Sequence, residues 1–287
     1  MNKVYFGING QFGDIIMQEP GLRAFIEDNP ETKIILGCSK KYAEILPLFE
    51  NYHKNIIGFK IWEGYDDWPT SRDSKYIKEQ NFDAIYPPGG PMPKHTQKDW
   101  ANYRHTTYES ALMLGVEART SDIKLNKPVG INRKPKTVAL HLFSSKWPGG
   151  VRSISVERQE FIVRYLIDRG YKVYQLSGPG QPQIEGTILD KNPNYFRSCK
   201  IMLGTDFLIS CDSGMPWVAS AYNHPMIGLY SSAYNAMVRT TKNWQPVNPN
   251  AVYLESYSAN NISMYTIMDE INKKIKDERS TGEVYVG

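Results

Sequence analysis

"DFLISCDSGMPWVASAYNHPMIGLYSS", residues 206–232, carries the pattern that decides the fold. An apolar run ends at Cys211, Asp212-Ser213-Gly214 forms a turn, and a helix pattern covers Pro216–Tyr222. His224-Pro225 then leads into a second apolar run, Met226–Tyr230. Short runs of aliphatic and aromatic residues, bounded by Gly, Pro or Asp, read as buried strands. A strand, a helix and a strand in that order imply parallel pairing, with helices packed on the faces of the sheet.

The same alternation extends outward through the chain. Further strands are expected at Val4–Ile8, Lys33–Cys38, Ile56–Ile61, Phe82–Tyr86, Thr137–Phe143, Lys172–Ser177 and Val252–Leu254. Helix patterns fall at Ile15–Glu27, Lys41–Phe49, Trp100–Leu114, Val156–Arg169 and Ser263–Lys274. Residues 124–137, "KLNKPVGINRKPKT", are polar, with two prolines and a glycine, and interrupt the alternation. The expected architecture is α/β: two Rossmann-like, doubly wound parallel-sheet domains facing a cleft. Residues 1–125 form the first, 126–136 the linker and 137–287 the second.

Bulk properties narrow the class. Of 287 residues, 41% are hydrophobic and 22% charged, as in a water-soluble globular protein. No run reaches the roughly 20 apolar residues of a membrane helix, and no basic-then-apolar leader precedes Val4. Cys38, Cys199 and Cys211 are too few and too scattered for a disulfide framework or a zinc cluster. They are expected as small core residues in a reducing, cytoplasmic setting. The net charge of +4 is concentrated in the second half: residues 131–287 carry 18 Lys/Arg against 13 Asp/Glu. That excess suits an anionic ligand there and falls far short of a dedicated nucleic-acid binder.

Ligands of doubly wound sheets bind outside the carboxyl ends of the strands. In "YFGINGQFGDIIMQEPGLRAF", residues 5–25, Gly7, Gly10 and Gly13 precede Asp14 at a helix start. The spacing is not that of a dinucleotide loop, so an NAD-linked oxidoreductase is disfavoured. Asp14 reads either as an N-cap or as a general base at a strand end. In the 206–232 stretch, Asp212, Ser213 and Gly214 open a helix whose N–H groups suit a diphosphate, or simply make an ordinary capped turn. "LHLFSSKWPGGVRSISVERQEF", residues 140–161, adds Ser144, Lys146 and Arg152 at another strand end. These are phosphate partners or solvated surface groups. "LSGPGQPQIEG", residues 176–186, offers Gly178, Gln181, Gln183 and Glu185 as a nucleoside border or a plain loop.

These motifs resemble the bacterial heptosyltransferases, glycosyltransferase family 9, which have the GT-B fold. The family opens with a strand, a glycine, G-D-x and two apolar residues, then an L-x-A helix; "FGDIIMQEPGLRAF" is similar. Its second signature, an Asp-Ser/Thr-Gly turn before a helix with Ala-Ala-x-x-x-x-Pro, resembles "CDSGMPWVASAYNHP". The resemblance implies an inverting glycosyltransferase that uses no metal and no cofactor beyond its nucleotide-sugar co-substrate. It makes Asp14 the base that deprotonates the acceptor hydroxyl. Ser213, Gly214 and Arg152, with Ser144 and Lys146, would bind the donor diphosphate, while Asp212 shapes the turn. Trp217 stands where the family usually has His.

The acceptor is expected on the first domain, near Gly13. Residues 87–110 interleave Lys94, His95, Lys98 and Arg104 with Trp100, Tyr103 and Tyr108, which can grip sugars, phosphates or bases, or simply form a loop followed by an ordinary amphipathic helix. The acceptor partner that the resemblance implies is a glycan or lipid-linked sugar. The alternatives are hydroxymethylated DNA, as for a bacteriophage-type enzyme, or a non-catalytic nucleotide- or glycan-binding protein of this fold.

Overall fold

The computed structural model describes residues 2–8, 10–50, 52–63, 76, 79–86, 107, 111, 116–126, 128–144, 150–178, 180–190, 194–235 and 244–282. The chain divides into two compact units. One comprises Met1–Pro128 with Lys242–Val247, the other Val129–Thr241 with Asn248–Gly287.

The first unit holds β1 (Lys3–Gly7), α1 (Phe12–Met17), α2 (Glu19–Asp28), β2 (Lys33–Ser39), β3 (Ile56–Trp62) and β4 (Ala84–Tyr86). The four strands among the described residues are parallel, in the order β3-β2-β1-β4. β1 and β2 are buried almost end to end, which is why they read as continuous apolar runs instead of alternating ones. The helix pattern expected over Ile15–Glu27 is two helices. Pro20 has no N–H to donate backwards, so the chain restarts at Gln18 with Pro20 in the first turn of α2. Lys40–Leu48 is a 3-10 segment containing Pro47, where an α-helix was expected. The helix expected at Trp100–Leu114 lies almost wholly outside the described residues.

Glu19, fully buried on α2, accepts hydrogen bonds from Arg23 Nε at 2.8 Å, the Lys124 backbone N–H at 2.9 Å and the Tyr52 hydroxyl. Burial pushes its pKa up against these partners. The network ties residues 122–124 back onto α2, with Arg23 also donating to the Asp122 carbonyl at 2.7 Å.

The second unit holds β5 (Thr137–His141), α3 (Val156–Ile167), β6 (Lys172–Gln175), β7 (Ile188–Leu189), α4 (Tyr195–Leu203) and β8 (Phe207–Cys211). It continues with α5 (Gly214–Ala221), β9 (Met226–Ser231), α6 (Ser232–Asn235), β10 (Ala251–Ser256) and α7 (Met264–Gly282). The six parallel strands among its described residues lie in the order β10-β9-β8-β5-β6-β7. This is the doubly wound order of a Rossmann-type domain, with the winding reversal between β5 and β8. The core packs Ile162, Val163 and Leu166 of α3 and Ile267, Ile271 and Ile275 of α7 with Val138, Leu140, Ile209 and Ile227 of the strands. The spacing of four on α7 keeps one face against the sheet.

β5 and β6 end at His141 and Gln175, earlier than the apolar runs suggested, although Leu142, Phe143 and Leu176 stay buried beyond the ladder. β7 has two residues, too few for a readable pattern, and the sequence signalled neither it nor α4. α4 is fixed locally by Asn194, whose side chain accepts the Arg197 N–H at 2.7 Å. All three cysteines are unpaired and buried. Among the described residues no helix is long and apolar enough to cross a membrane.

His224, 8% exposed between α5 and β9, has an Nε2 with no hydrogen-bond partner among the described residues. Burial, helped by the nearby Arg133 charge, lowers its pKa to about 4. The folded protein therefore holds it neutral, while the unfolded chain protonates it below about 6.5. Its contribution to stability is present above that pH and lost as pH falls toward 4, by roughly 3 kcal/mol. Urea midpoints should fall from pH 6.5 to 4.5, and His224→Gln should flatten that slope by about one proton's worth. An unchanged slope would assign the loss to other groups.

Candidate functional site

The carboxyl ends of β5 and β8 meet at the winding reversal of the second unit. There the Ser213 Oγ lies 3.0 Å from His141 Nδ1 and 3.4 Å from Ser210 Oγ. The Ser210 hydroxyl donates to the Cys211 carbonyl at 2.9 Å. Desolvation lowers the His141 pKa to about 4, against a smaller opposing pull from hydrogen bonding to its own backbone. The imidazole is thus neutral near pH 7, with one N–H and one lone pair. Ser213 is the N-cap of α5, in extended backbone, yet its hydroxyl makes no capping bond: Pro216 at the third helical position has no N–H to offer, and the hydroxyl lies against His141. The Gly214 and Met215 N–H groups that open α5 are thus not capped by the Ser213 side chain, an arrangement suited to an anion.

Arg152 comes to this edge because residues 153 and 154 are bonded back to the end of β5. The Ile154 N–H donates to the Leu142 carbonyl at 3.0 Å, and the Ser144 N–H donates to Ser153 Oγ at 3.0 Å. Arg152 Nη1 then lies 3.6 Å from Asp212 Oδ2, and the Asp212 residue is 2% exposed. A guanidinium never loses its charge at working pH, so this buried carboxylate anchors a permanent cation at the strand ends. Tyr230 of β9 is fully buried and electrostatically coupled to Asp212 and Arg152. Burial holds its pKa well above the usual value, which keeps it protonated as a hydrogen-bond donor.

The remaining donor-side residues divide. Ser144 is buried, its hydroxyl 2.9 Å from that of Ser153, so it braces the loop instead of presenting a hydroxyl outward. Gln181 accepts the Gly178 N–H at 2.9 Å and donates to the Ser144 carbonyl at 3.3 Å, which folds the β6 loop against the end of β5. Gln183 spends its amide inside its own loop, on the Thr187 carbonyl at 3.0 Å. Lys146 lies outside the described residues. Trp217 is a buried core residue on α5.

In the first unit, α1 begins at Phe12, so the N-cap is Gln11 and not Asp14. Asp14 occupies the third helical position, where its Oδ2 accepts the Gln11 N–H at 2.8 Å in a capping box. This half-buried carboxylate follows the carboxyl end of β1, and Gly13 lies beside it in the first turn. Gly10 has a φ of 116°, and a Cβ there would lie 2.5 Å from Asp14 Cβ and 2.9 Å from Oδ2. Both backbone and space therefore demand glycine. Lys94, His95, Lys98, Trp100 and Arg104 lie outside the described residues.

Sequence reading missed His141, Ser153 and Tyr230. His141 had a signal, as the one ionisable side chain in the run Thr137–Phe143. The other two had none, because their relevance depends on which elements become neighbours. Among the described residues no three His, Cys, Asp or Glu side chains group as a metal site would require.

No protein-family model and no curated protein matches the chain. Solved structures do. A glycosyl transferase family 9 protein from Veillonella parvula is similar at 15% identity and TM-score 0.70, over 96% of this chain and 97% of that one. The E. coli ADP-heptose LPS heptosyltransferase II is similar at 13% identity and TM-score 0.68, over 97% and 100%. E. coli heptosyltransferase WaaC with ADP-2-deoxy-2-fluoro heptose is similar at 11% identity and TM-score 0.63, over 94% and 99%. With near-complete coverage of both partners and two parallel-sheet units, the chain has the GT-B fold of these glycosyltransferases.

Proposed function

We propose that the chain is a glycosyltransferase that moves a sugar from a nucleotide-sugar donor to an acceptor hydroxyl, with inversion and without a metal. The observation that carries this reading is the cluster of Arg152, Asp212, Ser213 and His141 at the β5–β8 reversal. It stands in a fold whose solved examples include a heptosyltransferase with an ADP sugar. Ser213, Gly214 and the N–H groups opening α5 hold the donor diphosphate, and Arg152 neutralises it. Gly178 and Gln181 border the nucleoside.

In the transfer, the acceptor oxygen forms its bond to the anomeric carbon as the carbon–oxygen bond to the diphosphate breaks. Asp14 takes the acceptor proton. The electron pair goes to the terminal phosphoryl oxygen, where Arg152 and the helix N–H groups stabilise the charge. Attack opposite the leaving group inverts the anomeric centre.

Mass spectrometry of products from a panel of nucleotide sugars and oligosaccharide or hydroxymethylcytosine-DNA acceptors tests the activity. At least one of UDP, ADP, GDP or CMP should raise the melting temperature, and Arg152→Ala should shrink that shift. No shift with any of them would overturn the reading. Asp14→Asn should keep nucleotide binding and lower turnover by about a hundredfold or more. Gly10→Ala should act in the same direction, since a side chain there displaces the Asp14 carboxylate. Wild-type turnover in Asp14→Asn would remove Asp14 as the base.

A further inference from the structure

The Ser213 hydroxyl raises a problem of hydrogen-bond supply. A hydroxyl has one proton and two lone pairs, whereas a phosphoryl oxygen only accepts. To bind phosphate, Ser213 must point its proton at the ligand. Its neighbours compete for that proton: His141 Nδ1 at 3.0 Å and Ser210 Oγ at 3.4 Å can both accept it. A proton aimed at Nδ1 would leave oxygen lone pairs facing the anion. Ser210 would reverse the arrangement only by exchanging its 2.9 Å bond to the Cys211 carbonyl for the longer 3.4 Å contact with Ser213. Among the described residues, His141 Nδ1 is the nearer group that can supply a donor to Ser213 Oγ, and it does so without breaking the Ser210–Cys211 bond.

We propose that His141 is a positioning residue for donor binding. With its proton on Nδ1 it donates to Ser213 Oγ and commits the Ser213 proton to a phosphoryl oxygen. The inference rests on the reading of this turn as the diphosphate site. It needs no net proton uptake, since the proton on Nδ1 replaces one on Nε2 and the ring stays neutral. Burial favours that neutral form, as the lowered pKa of His141 indicates. The geometry is built into the sheet, because His141 pairs in register with Ser210 across β5 and β8. The helix also loses nothing it was using, as Ser213 does not cap α5 with its side chain.

The test uses the full chain labelled with 15N-histidine. The His141 signals, among five histidines, are assigned by their loss in His141→Asn. Spectra are recorded with saturating ADP, UDP, GDP, CMP or inorganic pyrophosphate. A ligand complex with the proton on Nδ1 supports the proposal, and one with the proton on Nε2 overturns it.

A mutant cycle on nucleotide affinity gives a second reading. Ser213→Ala and His141→Ala should each weaken binding about tenfold. In the Ser213→Ala background, His141→Ala should add nothing, because His141 acts through Ser213. His141→Asn, whose amide N–H reaches the Nδ1 position, should restore affinity. Additive losses, or no rescue by Asn, overturn the relay. Should His141→Ala not fold, the native-protein spectra still decide. Failure of every probe to bind, read as no rise in melting temperature, overturns both the donor-site reading and the relay. Binding with the Nε2 proton overturns the relay alone.

Discussion

The parallel pairing of β5 with β8 is the constraint on which the candidate site depends. Its register places Leu140 opposite Ile209 and His141 opposite Ser210, so β8 runs one residue past the end of β5. Ser213, three residues beyond Ser210, then meets the imidazole with its hydroxyl. A register shift of one residue would turn His141 to the other face of the sheet and dissolve the pair. The apolar core beneath, Val138, Leu140 and Ile209 against α3 and α7, holds that register.

Burial sets the character of the groups above this pairing. Asp212 and Tyr230 are removed from water, so their polar atoms cost free energy unless neighbours answer them. Arg152 answers Asp212 with a charge that burial cannot remove. Removing one member of such a pair costs more than the pair contributes, since the other is left as a buried charge. Ser144 and Ser153 do related work without charge, closing the loop that brings Arg152 into place. The first unit shows the same economy on a smaller scale. Gly10 bends with positive φ, Gln11 caps the helix, and Asp14 is locked by the Gln11 N–H.

Much of the fold was legible in the chain. Strand after strand appeared as a short apolar run, because parallel strands covered on both faces must be apolar at successive positions. The edges were harder to read. β7 has only two residues, and α4 carries Tyr195, Arg197, Ser198 and Lys200 among its apolar positions, which blurs the periodicity. Pro20 and Pro47 were visible, but their consequences, a helix restarted and a 3-10 segment, depended on which backbone donors the surroundings required.

By itself the sequence determined the α/β alternation, the glycine-aspartate entrance at Gly10–Asp14 and the Asp212-Ser213-Gly214 turn at a strand end. These are local features, written in residue type and spacing over a few positions. The tertiary structure decided what each group touches. It turned Ser144 inward onto Ser153, set Arg152 against Asp212, and brought His141 to Ser213 across 72 residues of chain. The physical reason is that hydrogen bonds and ion pairs act over about 3–4 Å. Sequence separation does not encode that range, whereas the register of a folded sheet does.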